Sequence, residues 1–257
     1  MPVDVVVVNY KTPDLLQDFI RSYEALELPG CTLTIVEVEA NIPEDWLRAE
    51  ESNSRQTLFF RENIGYGKAC NEGAALGHNS IILFANADTL LSDGFRECHD
   101  ALRDHPNWGV LGPRQVNEFN CFTAGGIPGG PHGHVQRGWN QTDVGQCSDV
   151  LEDVYSVSGS LYFIKRSVWK ELTECPVWKE YAPNAVGAFL ETRHYFEETT
   201  CSRHLTAHGH INVFYGPVKM THLFHRSSDH GGWQDREVTN SKTMHREFLA
   251  LHGIEHE

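Results

Sequence analysis

A β-branched apolar run from Val3 to Val8, interrupted only by the acid Asp4, ends at Asn9-Tyr10. A run without polar alternation predicts a strand buried on both faces, the habit of a parallel sheet. Thr12-Pro13-Asp14 then opens a helical stretch through Leu26, with Thr12 as N-cap and Pro13 at the first helical position. Pro29-Gly30 breaks it. Leu33 to Val38 predict a second strand and Leu58 to Arg61 a short third. Ala69 to Leu76 predict a helix of small residues, and Ile81 to Ala85 another buried strand. This alternation predicts an α/β fold with a mostly parallel central sheet flanked by helices. In such sheets ligands sit beyond the carboxyl ends of the strands, where Asn9-Tyr10, Glu39-Asn41 and Asn86-Asp88 fall.

The second half has a different texture. Residues 121–147 (CFTAGGIPGGPHGHVQRGWNQTDVGQC) are rich in glycine and interrupted by proline, which predicts a functional, mobile loop rather than regular structure. VYSVSGSLYFIKR reads as a strand, followed by a helix from Ser167 to Leu172. A further helix is expected from about Glu197 to His208, closed by Gly209. Ile211 to Tyr215 and Val218 to Thr221 read as strands, and Glu237 to Leu251 as a terminal helix.

Length and composition narrow the function classes. A chain of 257 residues suits one large domain or two fused lobes, and its 40% apolar content is that of a folded globular protein. The net charge of −14 argues against a nucleic-acid surface and makes an anionic substrate dependent on a local remedy such as a divalent cation. Seven cysteines without CxxC spacing predict reduced thiols. The opening MPVDVVVVNYK has no basic flank and too short an apolar run for a secretory signal or membrane span, so a soluble, cytoplasmic protein is expected.

Four clusters carry candidate chemistry. Asn86-Ala87-Asp88-Thr89 follows the apolar strand IILFA, and a carboxylate there can hold a divalent cation, although the same residues are ordinary turn formers. Glu197-Glu198 after Tyr195-Phe196 is a carboxylate pair whose mutual repulsion can raise one pKa and poise a general base; acids at a helix N-terminus are also common for dipole reasons alone. His222 and His225 end an apolar strand, where an imidazole can join a distant carboxylate on a metal. The loop Arg61-Glu62-Asn63-Ile64-Gly65-Tyr66-Gly67-Lys68 leads into a helix, and its glycines permit close backbone approach to phosphate. It lacks the Walker A spacing.

In order and spacing these segments resemble the family 2 glycosyltransferases, inverting enzymes of the GT-A fold, and among them the rhamnosyltransferase-like members. The matching stretches are VDVVVVNYKTPDLL, ENIGYGKACNEGA, ILFANADT, VSGSLYFIKRSVWKEL, HYFEETTCSRHLTAHGHINVFYGP and VKMTHLFHRSS, spanning about residues 3–228. The resemblance implies one GT-A domain over 1–257, of Rossmann-like architecture, with a nucleotide-sugar half at 1–112 and an acceptor and catalytic half at 113–257. It places Tyr10 and Thr12 against the nucleotide, Glu39 near the base, and Asn63, Gly65 and Lys68 along the donor. Asn86 and Asp88 become the DXD-type motif, with Asp88 and His222 the ligands of Mn²⁺ or Mg²⁺. Glu198, beside Glu197, becomes the catalytic base, with Glu191 next in line.

Three departures stand out: Asn86 at the first DXD position, Glu198 where relatives often carry Asp, and Ala40-Asn41-Ile42 after Glu39. The implied donor is a nucleotide-diphosphate sugar, with uridine diphosphate the default nucleotide. The implied acceptor is a hydroxyl on a saccharide or other molecule, protein, glycan and modified base included. Trp139, Trp178 and Trp233 are candidate sugar-stacking platforms. Two rivals stay open: a sugar nucleotidyltransferase, and a non-catalytic nucleotide- or sugar-binding module on the same scaffold.

Overall fold

The apolar run at the N-terminus becomes the centre of the sheet. In the computed structural model, which describes residues 2–39, 54–129, 135–223 and 235–254, Val3–Tyr10 forms β1. Thr32–Val38 (β2) pairs with it in parallel on one side, with Arg55–Phe60 (β3) parallel beyond β2. Ile81–Asn86 (β4) pairs with β1 in parallel on the other side. Side chains alternate across a strand, so β1 feeds two cores at once. Val3, Val5 and Val7 join a cluster with Pro13–Glu24 (α1) and the later helix Gly94–Asp104. Val6 and Val8 join the opposite cluster, built with Tyr66–Ala75 (α2), Arg166–Glu174 and Glu197–Ala207. The result is a three-layer α/β/α arrangement.

Asp4, the acid within the apolar run, is 1% exposed. It accepts hydrogen bonds from Arg166 (2.6 Å), the Asn79 backbone N–H (2.8 Å) and Thr32 (2.7 Å). Arg166 also donates to the carbonyls of Asn79 and Ala74. A buried charge survives when it is paired and fully hydrogen-bonded, and this one ties Arg166 and the turn at Asn79 to β1 and β2.

Beyond β4 the sheet becomes mixed. Its order is completed by Thr89–Leu90 (β5), Trp108–Val116 (β6), Leu161–Lys165 (β9) and Ile211–His222 (β10), giving β3-β2-β1-β4-β9-β6-β10-β5. Phe122–Ala124 (β7) pairs with β6, and Leu151–Asp153 (β8) with β10. The expected parallel pairing holds across β3-β2-β1-β4. Strand β9 is antiparallel to both its neighbours, while β10 runs parallel to β6. The helices are numbered onward as α3 (Gly94–Asp104), α4 (Arg166–Glu174), α5 (Pro176–Tyr181), α6 (Glu197–Ala207) and α7 (Asp235–Leu251).

The two strands expected at 211–221 are one, because Gly216-Pro217 produces a register shift between Tyr215 and Lys219 rather than a break. Helix α3 and strand β6 have no counterpart in the sequence reading. Strand β6 carries Gly109, Gly112 and Pro113, which look like turn residues. A Cβ at Gly112 would lie 2.6 Å from Val157, so glycine is required where another chain segment crosses the strand. Helix α3 buries only Phe95, Cys98, His99 and Leu102 of a largely charged sequence.

The described parts of the 121–147 segment are pinned rather than loose. Arg114 pairs with Asp143 at 2.8 Å, both buried, and backbone bonds join Phe122 to Gln141 and Ile127 to Ser156. Residues 130–134 lie outside the described residues. Among the described residues, no helix is long and apolar enough to cross a membrane.

Candidate active site

Strand β1 lies between two parallel neighbours whose connections leave in opposite directions, and the crevice at such a switch point is where open α/β sheets bind ligands. A cleft opens there, walled by Val8, Tyr10, Val38, Asn63, Gly65, Tyr66, Asn86, Ala87, Arg193 and His194. Tyr10, Asn63, Gly65 and Asn86 were singled out from sequence; Tyr66, Arg193 and His194 were not. Strained backbone surrounds this cleft. Lys11, Glu39, Tyr195 and Phe196 have φ of +59°, +53°, +68° and +70°. Each such non-glycine residue costs about 1–3 kcal/mol, and such residues gather at functional sites.

The remaining donor-side residues divide by what already holds them. The Thr12 hydroxyl donates to Asn9 (2.7 Å), whose amide donates to Glu37 (2.7 Å), in a chain buried beneath the strand ends. Thr12 stands at the N-cap position of α1 as expected, but its side chain makes no capping bond and serves this internal network instead. Glu39 pairs with Lys11 at 3.1 Å beside the Tyr10 ring, and that contact holds its carboxyl below the usual range. Lys68 lies 3.9 Å from Glu191, and Arg193 lies 3.8 Å from Glu237. Exposed pairs of this kind contribute at most about 1 kcal/mol, so their cations can change partner at little cost. Residues Ala40-Asn41-Ile42 lie outside the described residues, as do His225 and Trp233.

The glycines of the 63–68 loop serve protein packing. Asn63 accepts from the Gly65 N–H (2.9 Å), and the Tyr66 N–H donates to the Arg193 carbonyl (3.0 Å). A Cβ on Gly65 would stand 2.5 Å from the Thr192 carbonyl, and one on Gly67 would collide with the Leu190 carbonyl. The Gly65 N–H is thus held within the loop and the Tyr66 N–H by Arg193, while the glycines allow residues 190–193 to lie directly on α2. That contact positions the residues leading into α6. Gly67→Ala should therefore cost at least about 3 kcal/mol in urea unfolding. A loss below about 0.5 kcal/mol would mean that residues 190–193 do not lie there.

Asp88 is 1% exposed and His222 5%, with His222 Nε2 3.5 Å from Asp88 Oδ1. Pairing of β5 with β10 sets His222 opposite Thr89, and the Leu223 N–H donates to the Asp88 carbonyl. Two donors of these types, buried and this close, fit shared coordination of one divalent cation next to Asn86 and Ala87 of the cleft wall.

Glu197 and Glu198 open α6 directly after the strained pair Tyr195-Phe196. Glu197 is 3% exposed and accepts from the Thr192 hydroxyl at 3.0 Å. Burial first, and then Glu198, push its carboxyl well above the usual range. Glu198 packs on the backbone of Gly159, whose carbonyl accepts from the hydroxyl of the cleft residue Tyr66 (3.1 Å). Burial raises Glu198 to about 7, against the opposing pull of the Glu198 and Thr199 N–H groups. Its Oε2 is buried and has no hydrogen-bond partner among the described residues. A carboxylate with an uncommitted oxygen and a value near neutrality can accept a proton.

Trp178 is not a sugar platform: it is 1% exposed and donates to the Gly187 carbonyl within the core. Trp139 is 42% exposed.

No protein-family model matches the chain, and no curated protein matches it in sequence. Solved structures do match. The mannosyltransferase PcManGT of Pyrobaculum calidifontis, solved with GDP-Man and Mn²⁺, superposes with a TM-score of 0.61 at 11% identity over 95% of this chain. The S. aureus TarS fragment 1-349 with UDP gives 0.63 at 11% identity over 97%. GalNAc-T7 with UDP, GalNAc and Mn²⁺ gives 0.61 at 12% identity over 86%. The chain has the GT-A glycosyltransferase fold. It spans 62%, 65% and 43% of those three chains, respectively.

Proposed function

We propose that this GT-A chain transfers a sugar from a nucleotide-diphosphate sugar to an acceptor hydroxyl, with inversion at the anomeric carbon. The observation that carries the proposal is Glu198: a carboxylate near neutrality, with one oxygen uncommitted, one residue removed from the wall of the switch-point cleft. The nucleotide occupies the cleft between Tyr10, Val38 and Asn63, and its diphosphate lies toward Asn86, Asp88 and Arg193. Glu198 takes the acceptor's hydroxyl proton as that oxygen bonds to the anomeric carbon. The bond from carbon to diphosphate breaks on the opposite face, so the configuration inverts. Burial and then Glu198 push the Glu197 carboxyl well above the usual range, and Thr192 holds one of its oxygens, so the proton transfer is assigned to Glu198.

Asp88 and His222 would hold Mn²⁺ or Mg²⁺, which when bound neutralises charge on the departing diphosphate. Lys11, Lys68 and Arg193 supply nearby positive charge in a chain whose net charge is −14. UDP is the nucleotide we take first. TarS was solved with UDP and the mannosyltransferase with GDP-Man, so the panel must include both bases.

The test is the pH profile of donor turnover, read as sugar released to acceptor or to water. Glu198 must be deprotonated to act, so kcat/KM should climb about tenfold per unit below about 7 and level off above it. A flat profile between about pH 5.5 and 8.5 would contradict Glu198 as the base.

A further inference from the structure

On the far side of α6 from the cleft, four side chains converge for which the proposed transfer has no use. Cys175 stands at the junction of α4 and α5, His204 and His208 face the same way one turn apart at the end of α6, and His252 follows α7. One donor atom from each, the Cys175 sulfur and a ring nitrogen of each histidine, lies within 4.8 Å of all the others. Cys175 Sγ is 4.0 Å from His252 Nε2, and the His204 ring centre is 5.0 Å from that of His208 and 4.9 Å from that of His252.

His204 is wholly buried, and neither of its ring nitrogens has a hydrogen-bond partner among the described residues. Leaving a buried polar atom unsatisfied costs about 1–3 kcal/mol, and this ring carries two, one of them within 4.8 Å of the other three donor atoms. His208 shows the complementary feature. Its Nδ1 is held by Glu171 at 3.0 Å, which leaves Nε2 for the cluster. Carboxylate–histidine pairs of this kind orient metal-bound imidazoles. Trp178 stacks on His204, and Phe248 packs edge-on against His204 and His252, so the cluster has a dry aromatic wall.

We propose that Cys175, His204, His208 and His252 bind one zinc ion as a closed structural site. One thiolate and three imidazoles are a borderline-soft donor set suited to zinc, and four protein ligands leave no open position for chemistry. Tetrahedral zinc places its donors about 3.3–3.6 Å apart, so binding draws this cluster together by about an ångström. The ion joins the α4–α5 junction, the end of α6 and the end of α7. Helix α7 is otherwise held by the third apolar cluster (Cys175, Trp178, Leu190, Phe248 and Leu249) and by hydrogen bonds to Thr200, Tyr181 and His194, and zinc adds to these. It also fixes the far end of the helix whose first turn carries Glu197 and Glu198.

The test uses the full chain with any affinity tag removed, since the chain has 15 histidines of its own. After gel filtration with a weak chelator, elemental analysis should find about one zinc per chain. Loading with cobalt(II) in place of zinc should give tetrahedral d–d bands together with a thiolate-to-cobalt charge-transfer band. Cys175→Ser should abolish the charge-transfer band, and His252→Ala should lower retained zinc at least tenfold. Stripping zinc from the wild type should lower Tm by about 10 °C. Asp88→Ala should leave the zinc content unchanged, which separates this site from the cleft. A folded wild-type chain that shows no charge-transfer band with cobalt would overturn the proposal, whatever the variants do. So would retention of one zinc by a folded Cys175→Ser, His252→Ala double variant.

Discussion

Glu198→Gln should lower kcat by about 10³-fold while leaving nucleotide affinity within about twofold of the wild type, because a base contributes to the transition state and not to donor binding. The same variant should be more stable at alkaline pH. A carboxyl raised from its ordinary 4.5 to about 7 holds its proton more tightly in the folded chain than in the unfolded one. Below about pH 4.5 it is neutral in both states and costs nothing. As pH rises toward about 7 the unfolded chain ionises first, and stability falls by up to about 2–3 kcal/mol. Glutamine cannot ionise, so Glu198→Gln should unfold at a higher temperature than the wild type at pH 8, with the gap closing toward pH 4.5. Turnover near the wild-type level would move the base to Glu197 or Glu191. Equal Tm at pH 8 would mean that Glu198 is better solvated than its packing against Gly159 implies.

Asp88→Ala should act on the other half of the reaction. Removing the carboxylate leaves His222 as the single buried donor of the pair, so the gain in nucleotide affinity on adding Mn²⁺ should shrink at least tenfold. Affinity measured with chelator should change little. Titration calorimetry with and without Mn²⁺ reads both quantities. An unchanged metal-dependent gain would remove Asp88 from the site.

The sequence made the sheet legible where burial is two-sided. Val3 to Val8 and Ile81 to Ala85 have no polar alternation to mislead, and both are central strands, β1 parallel to both its neighbours and β4 parallel to β1. It misled where glycine and proline sit inside regular structure. Gly112 in β6 and Gly216-Pro217 in β10 exist because another segment crosses there or the register shifts, and neither cause lies in the local sequence. At the site, the residues at the ends of β1 and β4 were legible from their position after apolar runs. The packing partners of Gly65 and Thr12 were not. A glycine that admits phosphate and one that admits residues 190–193 read alike, and a buried hydroxyl bonded to Asn9 looks like a helix cap. Arg193 and His194 carried a usable signal in their closeness to Glu197-Glu198, which the sequence reading passed over. The Cys175, His204, His208 and His252 cluster is assembled from the α4–α5 junction and the ends of α6 and α7. Only the His204–His208 spacing is visible in the chain itself.

The most direct test of the central claim is calorimetric titration of UDP, GDP and dTDP into the protein, each with Mn²⁺ and each with chelator. One of the three should bind with micromolar affinity, about −8 kcal/mol, and chelator should weaken it at least tenfold. Absence of binding by all three to folded, Mn²⁺-loaded protein would contradict a nucleotide-sugar donor and leave Glu198 without a reaction to serve.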